Sequence, residues 1–282
     1  MTAHNLPVLV GVDGSEASRL AVSWAADEAV RRIAPLRLVH CYGLPPFSYA
    51  EGVPPSGWTD ALRSRSGQFL AAAEQQARHD RPSLAVTTEP VADTPVPALL
   101  ELSTSARLVV LGSAGTGGCV GLLLGSTVSS VAAHAHCPVA VVRERPDGTV
   151  PAAGHVLLGV DGGPVGEAAI AFEEAALRGA PLGALHAWSD ADDTQVFSTS
   201  RLAFDFEPLR DAEERVLAER LAGEVPRRAR RARPGAGQAE AKAARAQPAG
   251  PAVVVGSRGR AVSAACSWVR PARRCCTTRR AR

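Results

Sequence analysis

The chain repeats three stretches of its own sequence, in the same order and at nearly the same separation. The pairs are PVLVGVDGSEAS at Pro7–Ser18 with HVLLGVDGGPVG at His155–Gly166, LRLVHCYG at Leu36–Gly43 with LGALHAWS at Leu182–Ser189, and LVVLGSAGTGG at Leu108–Gly118 with AVVVGSRGRAV at Ala252–Val262. The separations are 148, 146 and 144 residues, which is the length of an ordinary domain. A duplication on this scale predicts two tandem domains of one fold.

The repeat also suggests the domain boundaries. Residues 1–145 form a complete first copy, and 155–260 form a second copy that departs from the first towards its end. Between them, residues 146–154 belong to RPDGTVPAAG, whose prolines and glycines are typical of a linker. With 282 residues, the chain is long enough for two separate cores.

Short aliphatic runs alternate with helical patterns in the first copy. The predicted strands are Val8–Val12, Leu36–His40, Leu84–Thr87, Leu108–Leu111 and Val139–Val142, and the predicted helices start at Ser15–Glu16 and span Leu62–Ala77, Val96–Leu102 and Ser126–His134. This alternation predicts an α/β fold, a doubly wound parallel five-stranded sheet of Rossmann-like type. Such sheets bind ligands at the carboxyl ends of their strands.

Two loops are expected at that edge. Asp13 follows the first strand, where it could hold a ribose hydroxyl or a metal-bound water. The fourth strand runs into a glycine-rich loop with Gly112, Ser113, Gly115, nine residues, then Gly125, Ser126 and Thr127. Glycines let a phosphate approach the backbone, and the N–H groups of the next helix can hold the anion. The alternative is that the glycines only make tight turns and Ser126 only caps the helix.

With this spacing, the chain resembles the universal stress protein family in the tandem form common in actinobacteria. The family pattern G-x2-G-x9-G-[S/T] is matched from Gly112 to Ser126. The resemblance implies ATP binding, with or without Mg²⁺, with Val12 and Asp13 near the adenosine and Cys41 near the adenine. It also implies that domains pair through their last strands, within the chain or in a homodimer.

Catalytic signals are weak. The chain has no GxxxxGK[ST] motif and its first copy has no lysine, so the phosphate-binding lysine of fast NTPases is missing. His40, His134 and His136 are expected to be structural. We therefore expect regulation through nucleotide binding, with slow ATP hydrolysis at most. The alternative is an adenylate-transferring enzyme of related architecture, although VDGSEAS does not match the SGGxDS loop of such enzymes.

The charge is distributed unevenly. Pro226–Arg282 holds 15 basic residues and one acidic residue, a net charge of +14, whereas the rest of the chain carries −11. Within it, 226–252 contains no large aliphatic or aromatic residue, so this low-complexity segment is expected to be disordered. The third hypothesis is a defective paralogue that binds nucleic acid nonspecifically through this tail. The tail has no aromatic residue besides Trp268 to favour it.

We attribute the basic tail, residues 261–282, to a frameshift in the gene or its recorded sequence. Codons for its last residues can be read in another frame as a segment containing GLLLGS, which matches GLLLGS before Thr127 in the first copy. Under this hypothesis the second copy keeps Asp161 and Gly256 but has lost its own Gly-Ser pair, so its nucleotide site is absent or weak.

The remaining features predict a soluble cytoplasmic protein. No apolar run is long enough for a bilayer, and MTAHNLPVLVGVDGSE lacks the basic start of a signal peptide. The six cysteines have no zinc-site spacing and are expected to be reduced.

Overall fold

The structure is a computed structural model that describes residues 6–43, 57–115, 124–144, 154–160, 166–186 and 252–256, together with Arg215. The chain divides into two compact units, Met1–Val150 and Pro151–Arg282. The predicted linker, the low-complexity segment and the basic tail lie wholly or almost wholly outside the described residues, so their character stays a prediction.

The first unit is the predicted α/β domain. Its elements are β1 (Val8–Gly11), α1 (Glu16–Arg32), β2 (Leu36–Cys41), α2 (Trp58–Arg78), β3 (Val86–Val91), α3 (Pro95–Ser103), β4 (Leu108–Gly112), α4 (Ser126–His134) and β5 (Val139–Val142). The five strands form one parallel sheet in the order β3-β2-β1-β4-β5. This confirms the doubly wound fold class.

Helices cover both faces of the sheet. Val8 and Val10 of β1 point into the core shared with α1 and α2, and Leu9 points into the core shared with α3 and α4. All three side chains are fully buried. A strand buried on both faces needs a continuous aliphatic run, which is why β1 reads VLVG rather than as alternating polar and apolar residues.

Two elements of the first unit differ from their predicted bounds by more than one residue. The predicted third strand, Leu84–Thr87, is found at Val86–Val91, because parallel pairing with β2 continues as far as Cys41 opposite Val91. Between Val86 and Val91 its residues are Thr87, Thr88, Glu89 and Pro90, so a search for apolar runs does not find this strand. Helix α2 starts at Trp58, four residues before the predicted Leu62, because Gly57 supplies a left-handed turn at its N-terminus (φ 86°).

The second unit repeats the start of this plan. It contains β6 (Val156–Val160), α5 (Gly166–Arg178), β7 (Leu182–His186) and β8 (Ala252–Val254), in a parallel sheet of order β7-β6-β8. The first two strands, the first helix and the VVVG strand of the second copy are therefore confirmed. The predicted second helix, the predicted lack of a third and a fifth strand, and Asp161 lie outside the described residues, apart from the single helical residue Arg215.

Strand β5 lies at the outer edge of the first sheet, next to β4. Pairing through this strand, within the chain or in a homodimer, stays a prediction. Among the residues that the structure describes, no helix combines the length and the apolar character needed to cross a membrane.

The end of α1 carries backbone strain that glycine would relieve. Ile33 has φ 51° and its side chain is 90% exposed, so a β-branched residue is held in the left-handed region with little burial in return. The end of α5 has the same geometry at Gly179 (φ 58°), with matching bonds from Ala34 N–H to the Ala29 carbonyl and from Ala180 N–H to the Ala175 carbonyl.

We therefore expect Ile33→Gly to stabilise the first domain by about 1 kcal/mol, measured by urea unfolding. Ile33→Ala is the matched control, because it removes the exposed apolar side chain but keeps a Cβ at positive φ. An equal gain from alanine and glycine would contradict the strain explanation.

Candidate functional site

Strands β1 and β4 lie side by side, and the helices that follow them pack on opposite faces of the sheet. Their carboxyl ends therefore form the topological switch point, where a crevice opens between the two loops. Val12, just past β1, is still anchored to the sheet, because its N–H donates to the Val39 carbonyl at 2.8 Å. The sheet thus fixes the backbone from which Asp13 projects.

Asp13 is held by the start of α1. Its Oδ1 accepts hydrogen bonds from the Ser15 N–H at 3.0 Å and from the Ser15 hydroxyl at 2.6 Å. The Ser15 oxygen also caps α1 by accepting the Ser18 N–H at 3.1 Å, and the Asp13 N–H donates to the Ser18 hydroxyl oxygen at 3.3 Å. These bonds define the orientation of the Asp13 carboxylate.

The glycine loop approaches this carboxylate closely. A Cβ atom added to Gly115 would lie 2.7 Å from Asp13 Oδ2. Three residues before Gly115, at the end of β4, a Cβ on Gly112 would lie 2.5 Å from the carbonyl carbon of Ala17 in the first turn of α1. A Cβ at Gly112 would collide with the backbone of α1, and a Cβ at Gly115 would crowd the Asp13 carboxylate, so these glycines do more than form turns.

Gly125, the last glycine of the pattern, is the N-cap of α4. Its N–H donates to the Ser113 carbonyl at 3.0 Å, which brings the two described ends of the glycine loop together. Ser126 is the first residue of α4 rather than its cap, so the alternative that Ser126 only caps the helix is wrong. Thr127 follows in the same turn. Residues 116–123 between the two ends lie outside the described residues.

Aromatic packing supports the turn after β1. His40 Nδ1 lies 2.6 Å from the carbonyl oxygen of Val12, so Nδ1 carries the proton and donates it. The His40 ring meets Phe69 of α2 edge to face, with 5.2 Å between ring centroids. A Cβ on Gly14 (φ 80°) would lie within 3 Å of three Phe69 ring atoms, so Phe69 fills the space over this turn.

Cys41 ends β2 on the other side of β1. Burial, and then the negative charges of Asp93 and Glu89, raise the pKa of its thiol to about 11. Burial also raises the pKa of Cys137 to about 11, against a smaller lowering by a backbone hydrogen bond with Val109. Both thiols are neutral at physiological pH, so Cys41 offers a packing surface rather than a nucleophile.

The remaining candidate histidines make local contacts away from the glycine loop. His134 Nδ1 lies 2.9 Å from the carbonyl oxygen of Ser130, one turn earlier in α4. The His136 N–H donates to the Ser103 hydroxyl oxygen at 3.0 Å, which ties the chain before β5 to α3. Among the described residues, no three His, Cys, Asp or Glu side chains gather as a metal site would require.

The structure thus brings Val12, Asp13, Gly112, Ser113, Gly115 and Gly125 to one crevice, with Ser126 and Thr127 at the adjoining helix start and Cys41 beyond β1. Four residues at this site were not predicted from the sequence. Ser15 and Ser18 hydrogen-bond to Asp13, His40 supports the Val12 carbonyl, and Phe69 packs over the turn after β1. A serine at the helix N-cap and another three residues later is the signal that could have indicated the first two.

A family model and individual relatives both relate this chain to the universal stress proteins. The model of the universal stress protein family matches residues 5–143 and again 153–265. The universal stress protein Rv2005c of Mycobacterium tuberculosis is 41% identical over 229 residues, covering 77% of this chain and 74% of that protein. Its paralogue Rv1996 is 37% identical over 241 residues, covering 78% and 74%.

One solved structure supports the fold over most of the chain. A universal stress protein from Archaeoglobus fulgidus covers 78% of this chain and 76% of its own, with a TM-score of 0.52 and 17% identity. A universal stress protein crystallised in complex with cAMP covers 50% of this chain and 99% of its own, with a TM-score of 0.39 and 25% identity.

Proposed function

The chain belongs to the universal stress protein family, in which it carries two tandem copies of the domain, and on that premise we propose that its first domain binds ATP. The protein acts in the stress response through this binding rather than through fast catalysis. The observation that carries the proposal is the contact between Asp13 and Gly115 at the switch point of the sheet.

The residues present fit a nucleotide. A carboxylate on one loop accepts hydrogen bonds from sugar hydroxyls, so Asp13 would hold the ribose. The first turn of α4 offers backbone N–H groups, so this turn and the hydroxyls of Ser126 and Thr127 would hold the phosphates. Gly112, Gly115 and Gly125 would let the phosphates approach the backbone of the loop. Val12 and Cys41 would line the adenosine, and Ser113 connects the loop ends.

A magnesium ion would reach this site together with the nucleotide. Among the described residues, no three His, Cys, Asp or Glu side chains form a metal site of their own. Mg²⁺ that accompanies a nucleotide is held by one or two carboxylates together with the phosphates, and Asp13 would supply one carboxylate. We propose that Asp13 contacts the sugar with or without the ion, and a cytoplasmic location stays a prediction.

Binding rather than turnover also follows from the polar groups around the crevice. The Nδ1 proton of His40 is committed to the Val12 carbonyl, which makes His40 a support for the backbone. Asp13 Oδ1 is committed to Ser15. The first copy has no lysine to bridge the β- and γ-phosphates. These features favour retention of the nucleotide.

Calorimetric titration of the full chain with ATP tests the proposal. A Cβ on Gly125 would make only ordinary contacts, at 3.9 Å, and φ is −65°, so Gly125→Ala should leave the fold intact. Because the methyl group would occupy space beside the phosphates, we expect affinity to fall roughly tenfold, about 1.4 kcal/mol. Stoichiometry should be near one ATP per chain.

Gly67→Ala is the matched control. Gly67 lies in α2, and a Cβ there would meet nothing within 4 Å, so ATP affinity should not change. No ATP binding by the unmodified chain, or equal affinities for both variants, would refute the site. Steady release of pyrophosphate from ATP would instead favour the adenylate-transferring alternative, and steady release of ADP would favour an ATP-hydrolysing enzyme.

A further inference from the structure

Three residues at the start of α1 form a closed ring of hydrogen bonds around Asp13. Ser15 gives its N–H and its hydroxyl proton to Asp13 Oδ1, Ser18 gives its N–H to Ser15 Oγ, and Asp13 returns its own N–H to Ser18 Oγ. The hydroxyl of Ser15 has a single proton, so donation to Asp13 fixes its lone pairs toward the helix. Side chain and backbone of Asp13 are therefore fixed together.

The ring determines which carboxylate oxygen faces the crevice. Since both hydrogen bonds from Ser15 go to Oδ1, Oδ2 is the oxygen turned toward the glycine loop, 2.7 Å from the Cβ position of Gly115. Rotation of the carboxylate would break the 2.6 Å bond from the Ser15 hydroxyl. Ser18 is only 4% exposed, so water has little access to compete for its hydroxyl.

The same turn of helix contacts the glycine loop directly. Ala17, between Ser15 and Ser18, packs its backbone against Gly112 at the end of β4. The start of α1 therefore holds Asp13 on one side and the beginning of the glycine loop on the other. A shift of this turn would change the distance between the groups assigned to sugar and phosphate.

We propose that Ser15 and Ser18 are positioning residues that give the site its selectivity for a ribose diol. The inference rests on the proposed nucleotide site and identifies the part of the ligand that the ring recognises. A carboxylate oxygen held toward the crevice accepts hydrogen bonds from vicinal hydroxyls, and this fixed orientation of the acceptor is lost when either serine hydroxyl is removed. Binding of the base and the phosphates does not depend on the orientation of the Asp13 carboxylate.

The test compares ATP with 2′,3′-dideoxy-ATP by calorimetric titration of the full chain. We expect the unmodified chain to prefer ATP by roughly tenfold, the contribution of one charge-assisted hydrogen bond. Ser18→Ala and Ser15→Ala should reduce this preference to about twofold by weakening ATP alone. Ser15→Thr, which keeps a hydroxyl at the N-cap, should restore it.

Ser23→Ala is the matched control on the same helix. Its hydroxyl oxygen accepts a hydrogen bond from the Gln76 side chain at 2.7 Å, so removing it perturbs α1 without touching Asp13. Both nucleotides should bind Ser23→Ala as they bind the unmodified chain. Thermal unfolding of each variant confirms that it is folded at the titration temperature.

The outcomes separate this inference from the function on which it rests. If the unmodified chain binds neither nucleotide, the proposed function fails and the inference fails with it. If ATP binds but Ser15→Ala and Ser18→Ala weaken both nucleotides equally, or keep the tenfold preference, the serines only stabilise the helix and the positioning role is refuted.

Discussion

Replacing Glu28 with alanine is expected to destabilise the first domain by about 3–5 kcal/mol. Glu28 is fully buried in α1, where its carboxylate lies 2.6 Å from Arg32 Nε and 3.4 Å from an Arg31 guanidinium nitrogen. Arg32 is only 5% exposed. Glu28→Ala would leave the buried Arg32 guanidinium without the Glu28 carboxylate. Chemical unfolding followed by circular dichroism measures the loss in unfolding free energy.

An exposed ion pair on the same helix is the control. Glu16 pairs with Arg19, and both side chains are more than half exposed, so Glu16→Ala should cost less than about 0.5 kcal/mol. The double variant Glu28→Leu/Arg32→Leu should regain most of the stability lost by Glu28→Ala, because it leaves no buried charge. A loss for Glu28→Ala no larger than that for Glu16→Ala would contradict the prediction.

This buried pair shows what a sequence pattern does not reveal. Charged residues four apart on a helix normally indicate a solvent-exposed face, and nothing in EAVRR distinguishes Glu28 from an exposed residue. The duplication does carry a signal, because Glu174 and Arg178 stand at the equivalent positions of α5 and are also nearly buried. A charged pair kept in both copies indicates shared packing.

The doubly wound parallel sheet and the edge that carries the two loops were predictable, because apolar periodicity acts locally and parallel strands all end at one edge. Aliphatic runs predicted β1, β4 and β5 to within one residue. The ring around Asp13 was not predicted, because it depends on which of several serine rotamers the packing of α1 allows. The left-handed Ile33 was hidden too, since isoleucine disfavours that conformation.

The close contact between β4 and α1 gives the second large effect. A Cβ on Gly112 would lie 2.5 Å from the carbonyl carbon of Ala17 and 2.6 Å from its oxygen. Backbone atoms in a helix cannot rotate away as a side chain can, so Gly112→Ala must push the start of α1 off the sheet. We expect a loss of about 3 kcal/mol in unfolding free energy, at the upper end of overpacking costs.

Gly11→Ala separates backbone collision from crowding in general. Its Cβ would lie equally close, 2.6 Å, to an atom of the neighbouring strand, but that atom is Cδ2 of Leu111, which a rotamer change can move. The cost should therefore be about 1 kcal/mol. Ala17→Gly should not rescue Gly112→Ala, since the Ala17 carbonyl remains in place.

The same substitution should also affect the nucleotide site. Because the displaced turn holds Asp13 through Ser15 and Ser18, Gly112→Ala should lose ATP binding even at temperatures where it is folded. Retained stability and affinity in Gly112→Ala would mean that α1 and β4 are not coupled at the crevice.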